Sequence, residues 1–381
     1  MKILIISRGY PTDKYKTNGI FEFDQAKALA QAGHKVIYAA IDMRSIRRTR
    51  KFGFESLIKD NVQIEAVNVP CGRIPNCILN RISIFSLKRL YKKIIEKYGK
   101  PDIIHAHFIQ YGYAAVNAHA KENIPIILTE HYSAMNEGNI SSYYMKLGYY
   151  TYHNVNKVLS VSKALADNIK DKFNVGVDVV PNIVDISAFE YRKKEKEKKI
   201  FYFVSTGNLN INKRMDLLIR SFYNCFNNYE NVKLYIFGEG PERNNLEKLI
   251  SQLQLNDQVF LPGLKSREEI ADKYSESDCF VLASRRETFG VAYIEAMAMG
   301  LAVIATKCGG PEDFINENNG LLVDMDNETE LSTAMLDIYN EIDKYEGYEI
   351  SSEIKGKYSP EVIADRLTEI YNGITKENQS K

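Results

Sequence analysis

Ala283-Ser284-Arg285-Arg286-Glu287-Thr288-Phe289-Gly290-Val291-Ala292-Tyr293-Ile294-Glu295-Ala296-Met297-Ala298-Met299-Gly300 closes an apolar run, passes through a charged loop and opens a helix of small residues. Two carboxylates in it stand eight positions apart. At about 100° per residue, one continuous helix would set them roughly 80° apart, off a common face. Glu287 is therefore expected in the loop and Glu295 inside the helix, both turned toward whatever rests on the free N–H groups of the first turn. Such a terminus favours phosphate. Gly290 lets the backbone approach a ligand, while Ala296, Ala298 and Gly300 let the helix pack closely on a sheet. Taken alone, the same residues also describe a capped surface helix with two solvated acids.

Outward from this stretch, strands alternate with helical patterns in both halves of the chain, which calls for parallel sheets built of βαβ units. In the first half Met1–Ser7, Lys35–Ala40, Ile126–Thr129 and Lys157–Val161 read as strands, and Gly19–Ala30 as an amphipathic helix ended by Ala32-Gly33-His34. In the second, Ile200–Val204, Val232–Phe237, Cys279–Ala283 and Ala302–Thr306 repeat the theme. At 381 residues the chain exceeds the size at which single cores stop growing, so two domains are expected.

The formal charge of +1 hides a division. Residues 1–189 carry 26 Lys and Arg against 16 Asp and Glu, and residues 200–381 carry 18 against 30. Between them Tyr191-Arg192-Lys193-Lys194-Glu195-Lys196-Glu197-Lys198-Lys199 cannot bury apolar surface and reads as a linker. The expected domains are 1–190, then the linker 191–199, then 200–357, with a final helix over 358–381 opened by Ser359-Pro360. The basic half suits an anionic surface or acceptor. No groove-reading motif accompanies it, so nucleic acid is not an expected partner.

Other classes are set aside on similar grounds. Met1–Ser7 is too short an apolar stretch for a secretory signal, and no run of about 18 apolar residues predicts a membrane span, so a cytoplasmic enzyme is expected. The five cysteines form no Cys-x-x-Cys pair and read as free thiols. His105 and His107 alternate on a predicted strand; they can be satisfied there or bind a metal on one face. Neither first strand leads into a Gly-x-Gly-x-x-Gly turn, which argues against a dinucleotide oxidoreductase.

With the carboxylate pair, segments in order along nearly the whole chain resemble the retaining glycosyltransferases of family 4. Gly207-Asn208-Leu209-Asn210-Ile211-Asn212-Lys213-Arg214 looks like that family's strand-end glycine and diphosphate-binding lysine, and Phe237-Gly238-Glu239-Gly240-Pro241 like its next strand and turn. Phe260-Leu261-Pro262-Gly263, Ser277-Asp278, Gly309-Gly310-Pro311-Glu312 and Asn319–Val323 follow at the family's separations. The resemblance implies a GT-B fold: an α/β chain of two facing Rossmann-like domains with a cleft between them, and a last helix that crosses back to the first.

It also implies retention at the anomeric carbon. The expected reaction is transfer of a hexose or N-acetylhexosamine from a UDP- or GDP-sugar to a saccharide acceptor with no bound cofactor, and since Lys213 and a helix terminus can take over a metal's role, metal independence is expected. Lys213 would offset charge on the leaving diphosphate. An arginine usually stands at the position of Asn208; Arg214 is the candidate to replace its charge. Glu295 would accept from the ribose hydroxyls and Glu287 would contact the donor sugar, with backbone N–H groups of Thr288, Phe289 and Gly290 completing the contacts. From the first half, Gly19 would bring backbone N–H groups to the diphosphate, and His131, at the end of Thr129-Glu130-His131-Tyr132-Ser133, would stand beside the donor sugar. Glu130 is read either as a solvated acid or as part of that site. Asp324-Met325-Asp326 has the spacing of a metal-binding Asp-x-Asp but lies far along the chain from the other motifs, so no metal ligand is assigned.

Ile78–Tyr98 carries six basic residues against one acid, together with an apolar stripe, and 46–51 adds a second basic cluster. Such segments lie on anionic membranes or pack on sheets with snorkelling lysines. The first reading implies a lipid-linked acceptor, a peripheral place on the inner face of the cell membrane, and surface polysaccharide or glycolipid synthesis. The alternatives are a sugar-nucleotide epimerase, a phosphorylase, or a nucleotide-binding module without catalysis.

Overall fold

The computed structural model describes every residue except 16–17, 44, 46–50, 73, 120–121, 133–134, 136–139, 194–199 and 380–381. Most of the second basic cluster, Ser133 and the middle of the charged linker thus lie outside the described residues. The chain divides into two compact units: Met1–Ile183 with Pro360–Lys381, and Val184–Ser359. The division falls at Ile183/Val184, ahead of the charged run at 191–199, because Val184, Ile186 and Phe189 are already buried side chains of the second unit.

Unit 1 contains β1 (Lys2–Ser7), β2 (Lys35–Asp42), β3 (Gly53–Lys59), β4 (Val62–Asn68), β5 (Ile103–His107), β6 (Ile126–Glu130), β7 (Lys157–Ser160) and β8 (Val177–Val179). The sheet order is β3-β4-β2-β1-β5-β6-β7-β8, parallel except for the β3–β4 hairpin. That hairpin turns at Asp60 and Asn61, both at positive φ (48° and 62°), the conformation that two-residue hairpin loops require. Ile3, Leu4, Ile5 and Ile6 are fully buried, as expected for a central parallel strand covered on both faces. Each such side chain contributes about 1.5–3 kcal/mol.

The last helix, Pro360–Gln379, belongs to this unit. Proline at its first position is preset for helix and gives up an N–H that has no intrahelical partner. Ile363, Ala364, Leu367 and Tyr371, spaced on one helical face, join Phe23, Ala26, Leu29 and Ile103 in one core.

Unit 2 contains β9 (Phe201–Thr206), β10 (Val232–Phe237), β11 (Val259–Gly263), β12 (Cys279–Leu282), β13 (Ala302–Thr306) and β14 (Gly320–Val323). They pair in parallel in the order β11-β10-β9-β12-β13-β14. Strand order reverses between β9 and β12 here, and between β1 and β5 in unit 1. Ligands of open parallel sheets bind outside the carboxyl ends of the strands at such reversals. The residues after β9, β12 and β1 are accordingly the ones to inspect. No helix among the described residues is long and apolar enough to cross a membrane.

Candidate active site

In unit 2 the loops after β9 and β12 are laced together. Asn210 Oδ1 accepts from the backbone N–H groups of Asn212 (3.0 Å) and Lys213 (3.2 Å), a local turn that fixes the start of Lys213. Asn212 bonds across to the second loop through the Arg285 N–H (2.8 Å) and the Arg286 carbonyl (3.0 Å). Lys213 Nζ thereby meets Glu287 Oε1 at 2.5 Å. The same carboxylate oxygen accepts from Ser284 Oγ at 2.7 Å, and the Ser284 carbonyl in turn accepts from Thr306 Oγ1 at 2.5 Å. Glu287 also bridges to the loop after β13: its N–H bonds to the Cys308 carbonyl and its carbonyl accepts from the Gly310 N–H.

Gly290 then caps the helix Val291–Ala298 at φ 108°, a left-handed conformation that a side chain resists. A Cβ there would come within 2.8 Å of the Tyr293 ring. Tyr293 anchors the helix by donating to the Leu282 carbonyl at 2.7 Å. The Phe289 side chain is buried against Phe314 and Tyr358. Glu287 does lie in the loop and Glu295 within the helix. Glu295 Oε1 accepts from Arg267 Nη2 at 2.7 Å, and the same nitrogen donates to the Asp185 carbonyl at 2.5 Å.

Arg214 has a more constrained role than the sequence suggested. It caps the helix Met215–Phe226 in a left-handed conformation (φ 48°), and its guanidinium bonds Asp216 at 3.0 and 3.1 Å and pairs with Asp326. Burial pushes the Asp216 carboxyl up, but the Arg214 bond and charge outweigh it and hold it below the usual range. Asn208 is exposed, with its amide oxygen toward Gly240. The placing of Asp324-Met325-Asp326 away from the other motifs is corrected here: Asp326 also pairs with Arg285, 3.0 Å away, so the β14 turn returns to the loops after β9 and β12. Among the described residues no group of three His, Cys, Asp or Glu side chains is placed to hold a metal ion. All five cysteines are free.

In unit 1, Gly19 (φ 69°) caps the helix Ile20–Gln31, and a Cβ on it would fall 2.2 Å from the Gly9 carbonyl oxygen. Only glycine allows that approach. The Tyr38 hydroxyl donates to the Gly9 carbonyl at 2.8 Å and is within 2.6 Å of Ser7 Oγ, fixing the loop after β1. Arg8 follows on, its guanidinium 4.5 Å from the Phe108 ring centroid and 3.5 Å from Glu22. Burial raises the Glu22 pKa, and the charge of Arg8 opposes it.

His131 follows β6, partly exposed, with Nε2 2.9 Å from His107 Nδ1. Burial and then the charge of Arg8 hold its pKa well below the ordinary value, so the ring is neutral. The solvated reading of Glu130 is overturned. Its carboxyl is fully buried and accepts from the N–H groups of Ile109, His131 and Tyr132 and from the Tyr152 hydroxyl, at 2.8–3.1 Å. Burial raises its pKa to about 7 against those four bonds. It holds the backbone on which His131 sits.

The sequence did not single out Arg8, Glu22, Ser284 or Arg267. Arg267 stands behind Ser266, whose capping box with Glu269 announces a helix start and nothing more.

A family model described as glycosyl transferases group 1 matches residues 187–349, and one for glycosyltransferase family 4 matches residues 23–188. The phosphatidylinositol N-acetylglucosaminyltransferase GPI3 subunit of Saccharomyces cerevisiae is 25% identical over 312 residues, covering 77% of this chain and 68% of that protein. Among solved structures, sucrose-phosphate synthase from Thermosynechococcus elongatus superimposes with a TM-score of 0.78 at 19% identity, covering 99% of this chain and all of that one. Anabaena HepE in complex with UDP does so with a TM-score of 0.75 at 16% identity over 98% of this chain and all of its own.

Proposed function

Given that the chain belongs to the group 1 glycosyltransferases, has their GT-B fold and is a glycosyltransferase, we propose that it transfers a hexose or N-acetylhexosamine from a nucleotide sugar to a lipid-linked acceptor with retention at the anomeric carbon. The observation that carries this is the Lys213–Glu287 pair at the β9/β12 reversal, next to the helix capped by Gly290. It offers one cationic and one anionic group, with the first turn of a helix beside them. Those are what a sugar diphosphate needs.

In the transfer the acceptor oxygen bonds to the anomeric carbon on the side from which the diphosphate leaves. The bond from that carbon to the diphosphate oxygen breaks, and that oxygen takes the acceptor's proton. Lys213 exchanges Glu287 for the departing phosphate charge, and Glu287 turns to the donor's hydroxyls. Glu295, released from Arg267, accepts from the ribose, while Thr288, Phe289 and Gly290 supply backbone N–H groups. By the family resemblance, Gly19 would contact the diphosphate and His131 the donor sugar. Arg214, held by Asp216 and Asp326, acts on the phosphates through the local field, partly making up for Asn208. Positioning and electrostatics supply most of the rate, and a lysine with a helix terminus stands in for a metal ion.

A uridine donor is favoured by the UDP complex of HepE, and an N-acetylglucosaminyl group and phospholipid acceptor by the name of the yeast relative. A peripheral membrane location is supported by the helix Asn76–Tyr98. It buries Leu87, Leu90, Tyr91 and Ile94 on its own unit while Ile78, Arg81, Phe85, Lys88, Arg89, Lys92 and Lys93 are exposed. Lys93 lies 4.0 Å from the ring of exposed Phe54, continuing the patch onto edge strand β3. Burial and exposure thus divide the helix between sheet packing and a cationic, partly apolar outer face.

The test is a thermal-shift series with UDP, GDP and ADP, with and without EDTA, on the wild-type chain and Glu295→Ala. A nucleotide at about a hundred times its dissociation constant adds roughly 2.7 kcal/mol. The expected result is a shift with UDP that survives EDTA and is lost in Glu295→Ala. Incubation with UDP-N-acetylglucosamine and phosphatidylinositol vesicles then reads out transfer and the anomeric configuration of the product. No shift with any nucleotide overturns the donor assignment.

A further inference from the structure

Two residues of unit 2 that carry side chains, Arg214 (φ 48°) and Asp326 (φ 56°), both stand in the left-handed conformation and form an ion pair with each other. Asp tolerates that conformation better than Arg, and a long side chain keeps it only where the surroundings over-determine it. Arg214 is the residue after Lys213. It opens the helix Met215–Phe226 with no side-chain cap bond, its carbonyl accepting from the Leu218 N–H at 3.2 Å. The start of that helix and the place of Lys213 therefore depend on one resisted backbone conformation.

The ties on Arg214 differ in reach. Nε and Nη2 bond Asp216 at 3.0 and 3.1 Å, a contact within the same helix start that moves with it. Nη1 meets Asp326, which comes from the turn after β14 and so holds Arg214 against a different strand end. The Asp326 carboxylate also accepts from Arg285 Nε at 3.0 and 3.1 Å. One carboxylate thus joins the residue after Lys213 to the residue two before Glu287. Arg285 is tied a second time, its N–H donating to the Asn212 carbonyl at 2.8 Å, so Arg214 is the partner that depends on Asp326. Asn210 fixes Lys213 from the other side through the Lys213 N–H. A lone exposed ion pair would matter little, but here the Arg214 side chain is sheltered and lies between two carboxylates.

We infer that Asp326 is a positioning residue for the transfer: acting through Arg214, it holds the left-handed turn that carries Lys213 Nζ to Glu287. The inference rests on the reading of Lys213 as the group that offsets charge on the leaving diphosphate. A lysine displaced by an ångström still binds an anion but meets the developing charge less well.

The test is Asp326→Gly, since glycine takes φ 56° without resistance while removing the carboxylate. Turnover of UDP-N-acetylglucosamine with phosphatidylinositol vesicles is expected to fall on the order of ten- to a hundredfold in kcat, with KM little changed, the pattern of an interaction made in the transition state. An unchanged kcat, or a loss confined to KM, overturns the inference. The route through Arg214 is read from a double variant. Glycine at 214 adopts φ 48° unaided, so adding Asp326→Gly to the Arg214→Gly chain is expected to change kcat by less than about twofold. A second full loss overturns the inference. Should Asp326→Gly fail to fold, Asp326→Asn, which keeps the shape and loses the charge, is expected to lower kcat in the same sense, and unchanged kcat overturns the positioning role. A crystal structure of the variant without substrate is expected to show Arg214 out of the left-handed region and Lys213 Nζ beyond hydrogen-bond reach of Glu287; an unmoved Lys213 overturns the inference. A wild-type chain that turns over no nucleotide sugar, with that displacement present in the variant, defeats the transferase reading alone.

Discussion

Lys213 Nζ and Glu287 Oε1 lie 2.5 Å apart, joining the loops that follow β9 and β12. Their side chains are 20% and 14% exposed, so the pair is close to solvent yet sheltered enough for its charges to matter. An ion pair at this place keeps the two loops in register, and the proposed transfer requires it to give up its cation to the donor.

Replacing the cation tests that exchange. Lys213→Ala is expected to lower kcat/KM for UDP-N-acetylglucosamine by about 10² to 10³, the range for losing one group that stabilises developing charge. Activity within threefold of wild type would remove Lys213 from the mechanism.

Arg267 and Glu295 supply a second test. Glu295→Ala is expected to abolish the stabilisation by UDP, whereas Arg267→Met, which removes only the arginine from the carboxylate, should weaken it by no more than a few fold. The observed contact is between Arg267 Nη2 and Glu295 Oε1 at 2.7 Å. Equal losses in the two variants, measured by calorimetric titration with UDP, would show that the arginine rather than the carboxylate meets the nucleotide.

Acid should unfold unit 1 early. Burial lowers the pKa of His119 to about 4 from 6.5, as it lowers those of His105, His107 and His131. A depressed folded-state pKa means that the unfolded chain takes up the proton first, so the stability each neutral ring contributes is present above about 6.5 and is lost as pH falls toward the folded value. Glu130, raised to about 7, acts oppositely: its contribution fades as pH rises from 4.5 to 7, but one carboxyl is outnumbered. His119→Leu is expected to make urea unfolding less sensitive to acid between pH 6.5 and 4, by up to about 3 kcal/mol across the window. Parallel pH profiles for the variant and the wild type would contradict this.

The outer face of Asn76–Tyr98 can be altered without touching the core. Lys88→Ala with Lys92→Ala should weaken binding to phosphatidylserine vesicles by about 2 kcal/mol, roughly thirtyfold, and leave thermal stability unchanged. Phe85, 59% exposed, should act in the same sense when replaced by serine. Flotation that does not respond to either change would detach the protein from the membrane surface.

Gly19 carries a backbone prediction. Gly19→Ala must place a Cβ at φ 69° and 2.2 Å from the Gly9 carbonyl, so a loss of about 1–3 kcal/mol in stability is expected, together with weaker UDP binding. Calorimetry on the variant checks both.

The strands that position the site were legible because parallel strands buried on both faces are continuous apolar runs, as in Ile3–Ile6 and Ala302–Thr306. The loop-and-helix placement of Glu287 and Glu295 followed from helical angle alone. What escaped was set by pairing across the sheet. The return of Asp326 to Arg214 and Arg285 depends on β14 lying beside β13, an adjacency with no signature in residues 324–326. Glu130 looked like any strand-end acid, since two of the four donors that enclose it come from Ile109 and Tyr152, more than twenty residues away on either side.

Unit 1 is sewn shut by residues 360–379, with Tyr371 as one of the stitches, and the whole of unit 2 is encoded between its two pieces. On a ribosome, therefore, unit 2 has its full sequence available before unit 1 does. Until the final helix emerges, the apolar surface of Phe23, Leu29 and Ile103 lacks part of its cover, and the nascent chain passes through a stage in which its first-made half is the one still incomplete.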